Sequence, residues 1–236
     1  MPATYIEQNL AAVREALRVA KQDPHSNADC TLLAAVKYAQ GEEITALLDA
    51  GVTDVGENRV QQLLEHAPYY EGRAVRLHFI GSLQTNKVKY IADKVDMIHS
   101  LDSEKLAKEI EKRAGACGRV IDVLVEINVA REEAKTGVMP EQAEALCRAV
   151  LSLPHLRLCG FMTMGPIFDG EDAYRAYFKK TVALGDALWQ ALALDGKPLY
   201  SMGMSQSFAA AVKEGADFVR VGRRLFAGRP EKTEEK

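Results

Sequence analysis

The sequence is short of several things, and each shortage closes off a class of protein. No apolar run approaches the roughly 18 residues that a membrane-spanning helix needs. The opening Met1-Pro2-Ala3-Thr4-Tyr5 has no basic segment leading into an apolar stretch, so no secretory leader is expected and a cytoplasmic location is. Cysteine is scarce: Cys30, Cys117, Cys147 and Cys159 form no Cys-x-x-Cys pair, and no histidine pair has zinc-ligand spacing. Four buried, reduced thiols and no metal site are the expectation. Charge of one sign is also lacking. A net charge of −3 over 236 residues gives no broad basic surface, so no nucleic-acid partner is expected. Internal repeats, low-complexity stretches and long linkers are absent as well.

What is present is alternation. Hydrophobic residues make up 47% of the chain, enough for a sizeable core. Short β-branched runs are followed again and again by amphipathic stretches. The chain opens on a helix, with a capping-box pattern at Thr4-x-x-Glu7 and an apolar face of Ile6, Leu10, Val13 and Leu17. Eight strands follow, near 31–37, 52–56, 75–80, 97–100, 120–128, 156–162, 199–202 and 218–221. Helical segments separate them, with Gly51 closing one helix, Ser103 capping another and Pro140 at the first position of a third. Continuous apolar strands alternating with helices call for a parallel sheet covered on both faces. Eight such units predict a single (β/α)8 barrel over 1–228 with one extra N-terminal helix, and a doubly wound open sheet is the alternative. Residues 229–236 are mostly charged and are expected to be a disordered tail.

In a barrel the functional groups gather at the C-terminal ends of the strands. The polar residues there are Lys37, Asn58, His78, Ser100, Asn128, Thr163, Ser201, Ser205, Arg220 and Gly222. Lys37 closes an apolar strand. Partial desolvation would favour its neutral amine, which can attack a carbonyl compound, although a lysine reaching from a strand end to water has the same sequence. Ser201-Met202-Gly203-Met204-Ser205-Gln206-Ser207 and Val219-Arg220-Val221-Gly222-Arg223 supply hydroxyls, glycines and a helix start. That combination suits a phosphate seat after strands seven and eight, or simply tight turns and an N-cap. Together with Lys37 it suggests a ligand bearing both a carbonyl and a phosphate. His78 and His99 read first as core histidines, Met162 and Met164 as core methionines, and Lys87, Lys89 and Lys94 as a solvated face.

The motifs Ala34-Ala35-Val36-Lys37, Gly56-Glu57-Asn58, His78-Phe79-Ile80-Gly81-x-Leu83-Gln84-x-Asn86-Lys87, Gly160-Phe161-Met162-Thr163-Met164, Ser201-Met202-Gly203-Met204-Ser205 and Val219-Arg220-Val221-Gly222 run over about residues 5–228. With them the chain resembles the pyridoxal phosphate homeostasis protein family, which is related to the N-terminal barrel of alanine racemase. The resemblance implies that Lys37 forms a Schiff base with pyridoxal 5′-phosphate. It implies that Ser205, with the backbone N–H groups of Gly222 and Arg223, holds the phosphate. Arg220 would face the pyridine nitrogen, and Asn58, His78 and Met162 would lie near the ring. The chain departs from the family's pattern at Val36, where many members have Ser, at Ser207, where many have Asp, and at Arg223, where a small residue is usual. The expectation is a monomer that stores the cofactor or delivers it to apo pyridoxal phosphate enzymes, without appreciable amino-acid turnover and without the β domain and second base of alanine racemase. A racemase or decarboxylase of narrow specificity and a Schiff-base aldolase are the alternatives.

Overall fold

The computed structural model describes residues 2–229. Helix α1 (Pro2–Ala20) precedes β1 (Thr31–Ala35), α2 (Gly41–Asp49), β2 (Asp54–Glu57), α3 (Val60–Tyr70) and β3 (Arg76–Phe79). A 3₁₀ helix (Thr85–Tyr90) then leads to β4 (Met97–Leu101), α4 (Glu104–Ala116), β5 (Ile121–Glu126), α5 (Pro140–Leu151) and β6 (Leu156–Met162). The chain ends through α6 (Glu171–Ala191), β7 (Leu199–Met204), α7 (Phe208–Lys213) and β8 (Phe218–Val221). All strand pairings are parallel, and β8 returns to pair with β1, with Leu32 opposite Val219 and Leu33 opposite Arg220. The chain is therefore a closed (β/α)8 barrel with an added N-terminal helix, and the open-sheet alternative falls.

Local chemistry accounts for most of the element ends. Gly51 takes the left-handed conformation after α2 (φ 78°). The Ser103 hydroxyl accepts from the Leu106 N–H at the start of α4, and Pro140 occupies the first turn of α5. Two readings are corrected. Helix α1 already includes Thr4, so Thr4 does not cap it. The segment around Val88, read as an ordinary helix, is a short 3₁₀ helix.

Alternation along the strands divides the core in two. Outward-facing residues pack against the helices in one large cluster that includes Val55, Phe79, Ile98, Val123, Phe161 and Val219. Inward-facing residues form a small apolar layer of Met97, Leu124, Met162 and Phe218. A second inner group, Leu33, Ala35 and Ile80, lies toward the strands' C-terminal ends. Helix α1 buries Ile6, Leu10 and Val13. Its Asn9 donates to the Leu225 and Ala227 carbonyls, and Arg14 to those of Ala50 and Gly51, which ties the chain after β8 to the rest. Arg229, the first residue of the expected tail, is bound to the Glu43 carboxylate by Nε at 2.7 Å and Nη2 at 2.6 Å. Residues 230–236 lie outside the described residues. All four cysteines are free thiols, but Cys117 is exposed and Cys159 half-buried, contrary to the expectation that all are buried. Among the described residues no helix is long and apolar enough to cross a membrane, and no group of three metal-ligating side chains is assembled.

Candidate functional site

At the C-terminal mouth of the barrel a cavity of about 200 Å³ is walled by Lys37, Asn58, Ser205, Arg220, Gly222 and Arg223, with Ala35, Tyr38, Ile80, Met164 and Met204. A second hollow of about 190 Å³ adjoins it and shares Met164, Met204, Arg220 and Arg223. A more capacious hollow of about 410 Å³ beside α6 is lined by Asp169, Glu171 and Gln206 among others, and has no cationic side chain. The mouth is the chemically furnished one.

Strand β1 stops at Ala35, and Lys37 stands in the turn that follows, not on the strand itself. The turn is held from two sides. Gln62 on α3 donates to the Lys37 carbonyl at 2.9 Å, and the Arg229 guanidinium to the Tyr38 carbonyl. On this fixed backbone the Lys37 side chain is exposed, with Nζ 4.9 Å from the centroid of the Tyr38 ring. The partial desolvation expected of a strand-end lysine is therefore not met.

Across the mouth, β7 turns at Gly203 (φ 87°), where a Cβ would come within 2.5 Å of Ala211 Cβ. The Ser207 hydroxyl accepts from the Met204 N–H at 3.1 Å and so closes the turn that carries Ser205; it makes no cap for α7, the role expected of it. After β8 the Gly222 carbonyl accepts from Leu225 and Phe226. The N–H groups of Arg223 and Arg224 lie in the first turn of this coil, where no carbonyl of the same turn can reach them. A Cβ on Gly222 would lie 2.8 Å from the Ala35 carbonyl oxygen, so glycine lets β8 approach β1 beneath the cavity. Asn58 follows β2, and its Oδ1 is buried with no hydrogen-bond partner.

Arg220 is only 5% exposed. Its Nη1 donates to Ser201 Oγ at 2.8 Å and its Nη2 to the Thr163 carbonyl at 2.9 Å. Burial lowers its pKa to about 10, opposed chiefly by the Glu126 carboxylate, so it remains a cation at neutral pH. Burial in turn raises the Glu126 carboxyl, against the Thr136 hydroxyl that donates to it at 2.6 Å.

His78 and Met162 are not on the cavity wall. Met162 belongs to the apolar layer inside the barrel. His78 is fully buried there, between Asp54 Oδ1 at 3.0 Å and His99 Nε2 at 2.9 Å. Both histidines are hydrogen-bonded core residues. Asn128 is also elsewhere: it bonds the Glu132 backbone and shapes the loop after β5. The Ser100 hydroxyl is buried without a partner. Ile80 and Tyr38 line the cavity although neither was singled out. Ile80 lies two residues beyond His78, and period-two alternation could have placed it on the inner face.

Fold and mouth together define the class: a single parallel barrel that gathers a free lysine, a buried arginine, a serine and open backbone donors at its C-terminal rim. The sequence profile of the alanine racemase N-terminal domain matches residues 8–230. A pyridoxal phosphate homeostasis protein of Aquifex aeolicus is 41% identical over 223 residues, covering 94% of this chain and 97% of its own. One from Haemophilus influenzae is 32% identical, covering 95% and 96%. The chain belongs to the pyridoxal phosphate homeostasis protein family. Among solved structures, PipY of Synechococcus elongatus with PLP bound has a TM-score of 0.81 at 28% identity and covers 94% of this chain and 99% of its own. Alanine racemase of Clostridium difficile shares the fold, with a TM-score of 0.67 at 16% identity, and this chain spans 58% of it.

Proposed function

We propose that the protein binds pyridoxal 5′-phosphate at the barrel mouth and keeps it in reserve for the cell, without turning over amino acids. One observation carries the reading: an exposed lysine amine and a buried arginine border the same small cavity, with the Ser205 turn and the coil after Gly222 at its rim. When bound, the cofactor supplies an aldehyde that reacts with a primary amine and a ring that draws electrons from it.

The residues present fit that molecule. Lys37 Nζ is the free amine, on a backbone fixed by Gln62 and Arg229. Ser205 and the N–H groups at Gly222, Arg223 and Arg224 offer donors suited to a phosphate, and the Arg223 side chain adds a cation. Arg220 presents a charged donor with no acceptor, suited to an unprotonated ring nitrogen. An arginine there disfavours protonation of that nitrogen and so weakens the ring as an electron sink. Asn58, with its unpartnered Oδ1, and the Met164 and Met204 side chains would border the ring. His78 and Met162 would act from the layer below.

A racemase needs a second base on the opposite face of the substrate. His78, the nearest such group by sequence, lies inside the barrel with both ring nitrogens engaged there by Asp54 and His99. We read the working unit as a cytoplasmic monomer that passes its cofactor to apo enzymes.

The test is titration of the purified protein with pyridoxal phosphate, followed by borohydride reduction and peptide mapping. Wild type should gain a visible absorption band and carry the label on Lys37, and Lys37→Ala should remain folded and show neither. Label on another lysine would sink the assignment. Incubation of the loaded protein with L- and D-amino acids in deuterated water should show only slow Cα exchange. Lys37-dependent exchange at about 1–10³ per second would make the protein an enzyme.

A further inference from the structure

A chain of buried polar groups crosses the barrel interior and ends on Arg220. Asp54 Oδ1 meets His78 Nε2 at 3.0 Å, and His78 Nδ1 meets His99 Nε2 at 2.9 Å. His99 Nδ1 meets Ser201 Oγ at 2.8 Å, and Ser201 Oγ accepts from Arg220 Nη1 at 2.8 Å. Its members come from β2, β3, β4, β7 and β8. His78, His99 and Ser201 are fully buried. The far end opens on the opposite rim of the barrel, where the half-exposed Arg76 lies 4.0 Å from Asp54 and 3.7 Å from Asp122.

With an ionised Asp54 at one end and both imidazoles singly protonated, one direction follows for every proton between them. A guanidinium only donates and a carboxylate only accepts. Burial alone would raise Asp54, but hydrogen bonds from His78 and Thr53 outweigh it and keep the carboxyl ionised. Burial holds the His99 imidazole well below its ordinary range, and the Arg220 cation adds to the effect, so His99 is neutral. Asp54 then takes the His78 Nε2–H, and His78 Nδ1 takes the His99 Nε2–H. His99 Nδ1 takes the Ser201 hydroxyl proton, which leaves the Ser201 oxygen to Arg220. A hydroxyl that donates its own proton onward becomes a stronger acceptor, so the chain strengthens the Ser201 oxygen as the acceptor for Arg220.

We propose that His99 and His78 are positioning residues, fixed in the Nε2–H tautomer, that act through Ser201 to lock the Arg220 guanidinium at the cofactor side of the barrel. The role at the cofactor rests on the function proposed above, but the chain exists without the ligand and is tested without it.

The experiment is nitrogen-15 NMR of the full-length protein labelled at histidine and arginine, free of cofactor, at neutral pH. Both rings should show protonated Nε2 and bare Nδ1, and Arg220 should show slowly exchanging side-chain N–H signals. In His99→Phe that exchange should quicken about tenfold or more, the loss expected when a hydrogen bond to a charged group is weakened. His99→Gln, which can both accept from Ser201 and donate to His78, should restore most of it. A protonated Nδ1 at either ring in wild type overturns the proposal, and so does unchanged Arg220 exchange in a folded His99→Phe. Should that variant not fold, the wild-type tautomers decide. With pyridoxal phosphate added, the visible band should shift in His99→Phe and return in His99→Gln. Absence of any band in wild type would refute the binding function and leave the ligand-free result standing.

Discussion

Ser205 and Lys37 line one cavity but make different demands on their surroundings. The lysine needs only a fixed backbone and an open side chain. The serine hydroxyl supplies one of several donors suited to a phosphate, and the backbone N–H groups after Gly222 supply others. Removing the hydroxyl therefore takes away one hydrogen bond to a charged group, about 1.5–3 kcal/mol, and leaves the rest. Ser205→Ala should bind pyridoxal phosphate about ten- to a hundredfold more weakly while still forming the borohydride-stable link to Lys37. Equal affinity in wild type and variant, measured by absorption titration, would remove Ser205 from the phosphate seat.

The identity of these two residues was readable in the sequence, because a lysine closing an apolar run and a serine in a glycine-bearing turn are local patterns. Their burial was not. Lys37 is exposed because β1 ends at Ala35, two residues earlier than the apolar run suggests. Strand ends are set by which neighbouring strand still offers hydrogen bonds, and here the last such bond runs from the Val36 N–H to the Gly56 carbonyl.

At the level of elements, glycines decide how closely the strands can approach. Gly160 has φ 153°, and a Cβ there would sit 2.1 Å from the Leu199 carbonyl oxygen. That oxygen belongs to the neighbouring β7 and cannot swing aside as a flexible side chain would. Gly160→Ala should force β6 away from β7 and cost about 1–3 kcal/mol or more, read as a lower urea midpoint. An unchanged midpoint would mean that the β6–β7 seam is more pliant than the packing shows. The helices of the outer ring were legible from period 3.6 and from caps such as Ser103 and Pro140, since both are short-range signals. The 3₁₀ helix at Thr85–Tyr90 was not, because it is only six residues long and period alone cannot tell its tighter winding from an ordinary turn of helix.

For the whole molecule the buried ionisable groups fix how stability responds to acid. His99 has its pKa lowered by burial, with the Arg220 and Arg76 cations contributing in the same direction. Unfolded, it would take up a proton near 6.5; folded, it resists. The unfolded state therefore binds more protons as pH falls below about 6.5, and stability falls with it. Asp54, also lowered, withdraws its contribution at still lower pH, below its unfolded value near 3.8. Glu126 and Asp217, raised chiefly by burial, take up protons earlier when folded and offset part of that loss as pH falls toward the carboxylate range. Urea midpoints should thus decline as pH is lowered from 7 toward 5.5, and His99→Gln should flatten that decline. A flat wild-type profile across the same interval would contradict a neutral buried His99.

The sequence by itself determined the class of fold and part of the mouth, Lys37, Asn58, Ser205, Arg220, Gly222 and Arg223. Eight apolar strands alternating with amphipathic segments leave few ways to bury both faces of a sheet, and residues at strand ends fall on one rim by topology alone. Closure was decided only in three dimensions, when β8 came back to pair with β1. So was the division between rim and interior, which put Lys37, Asn58, Ser205, Arg220, Gly222 and Arg223 around one cavity and left His78 and Met162 beneath it. The chain from Asp54 to Arg220 belongs to the same category. Neighbouring strands bring Asp54, His78 and His99 together, but His99 on β4 meets Ser201 on β7 across the barrel's interior, 102 residues away in sequence. No periodic pattern along the chain encodes a contact made through the middle of a closed sheet.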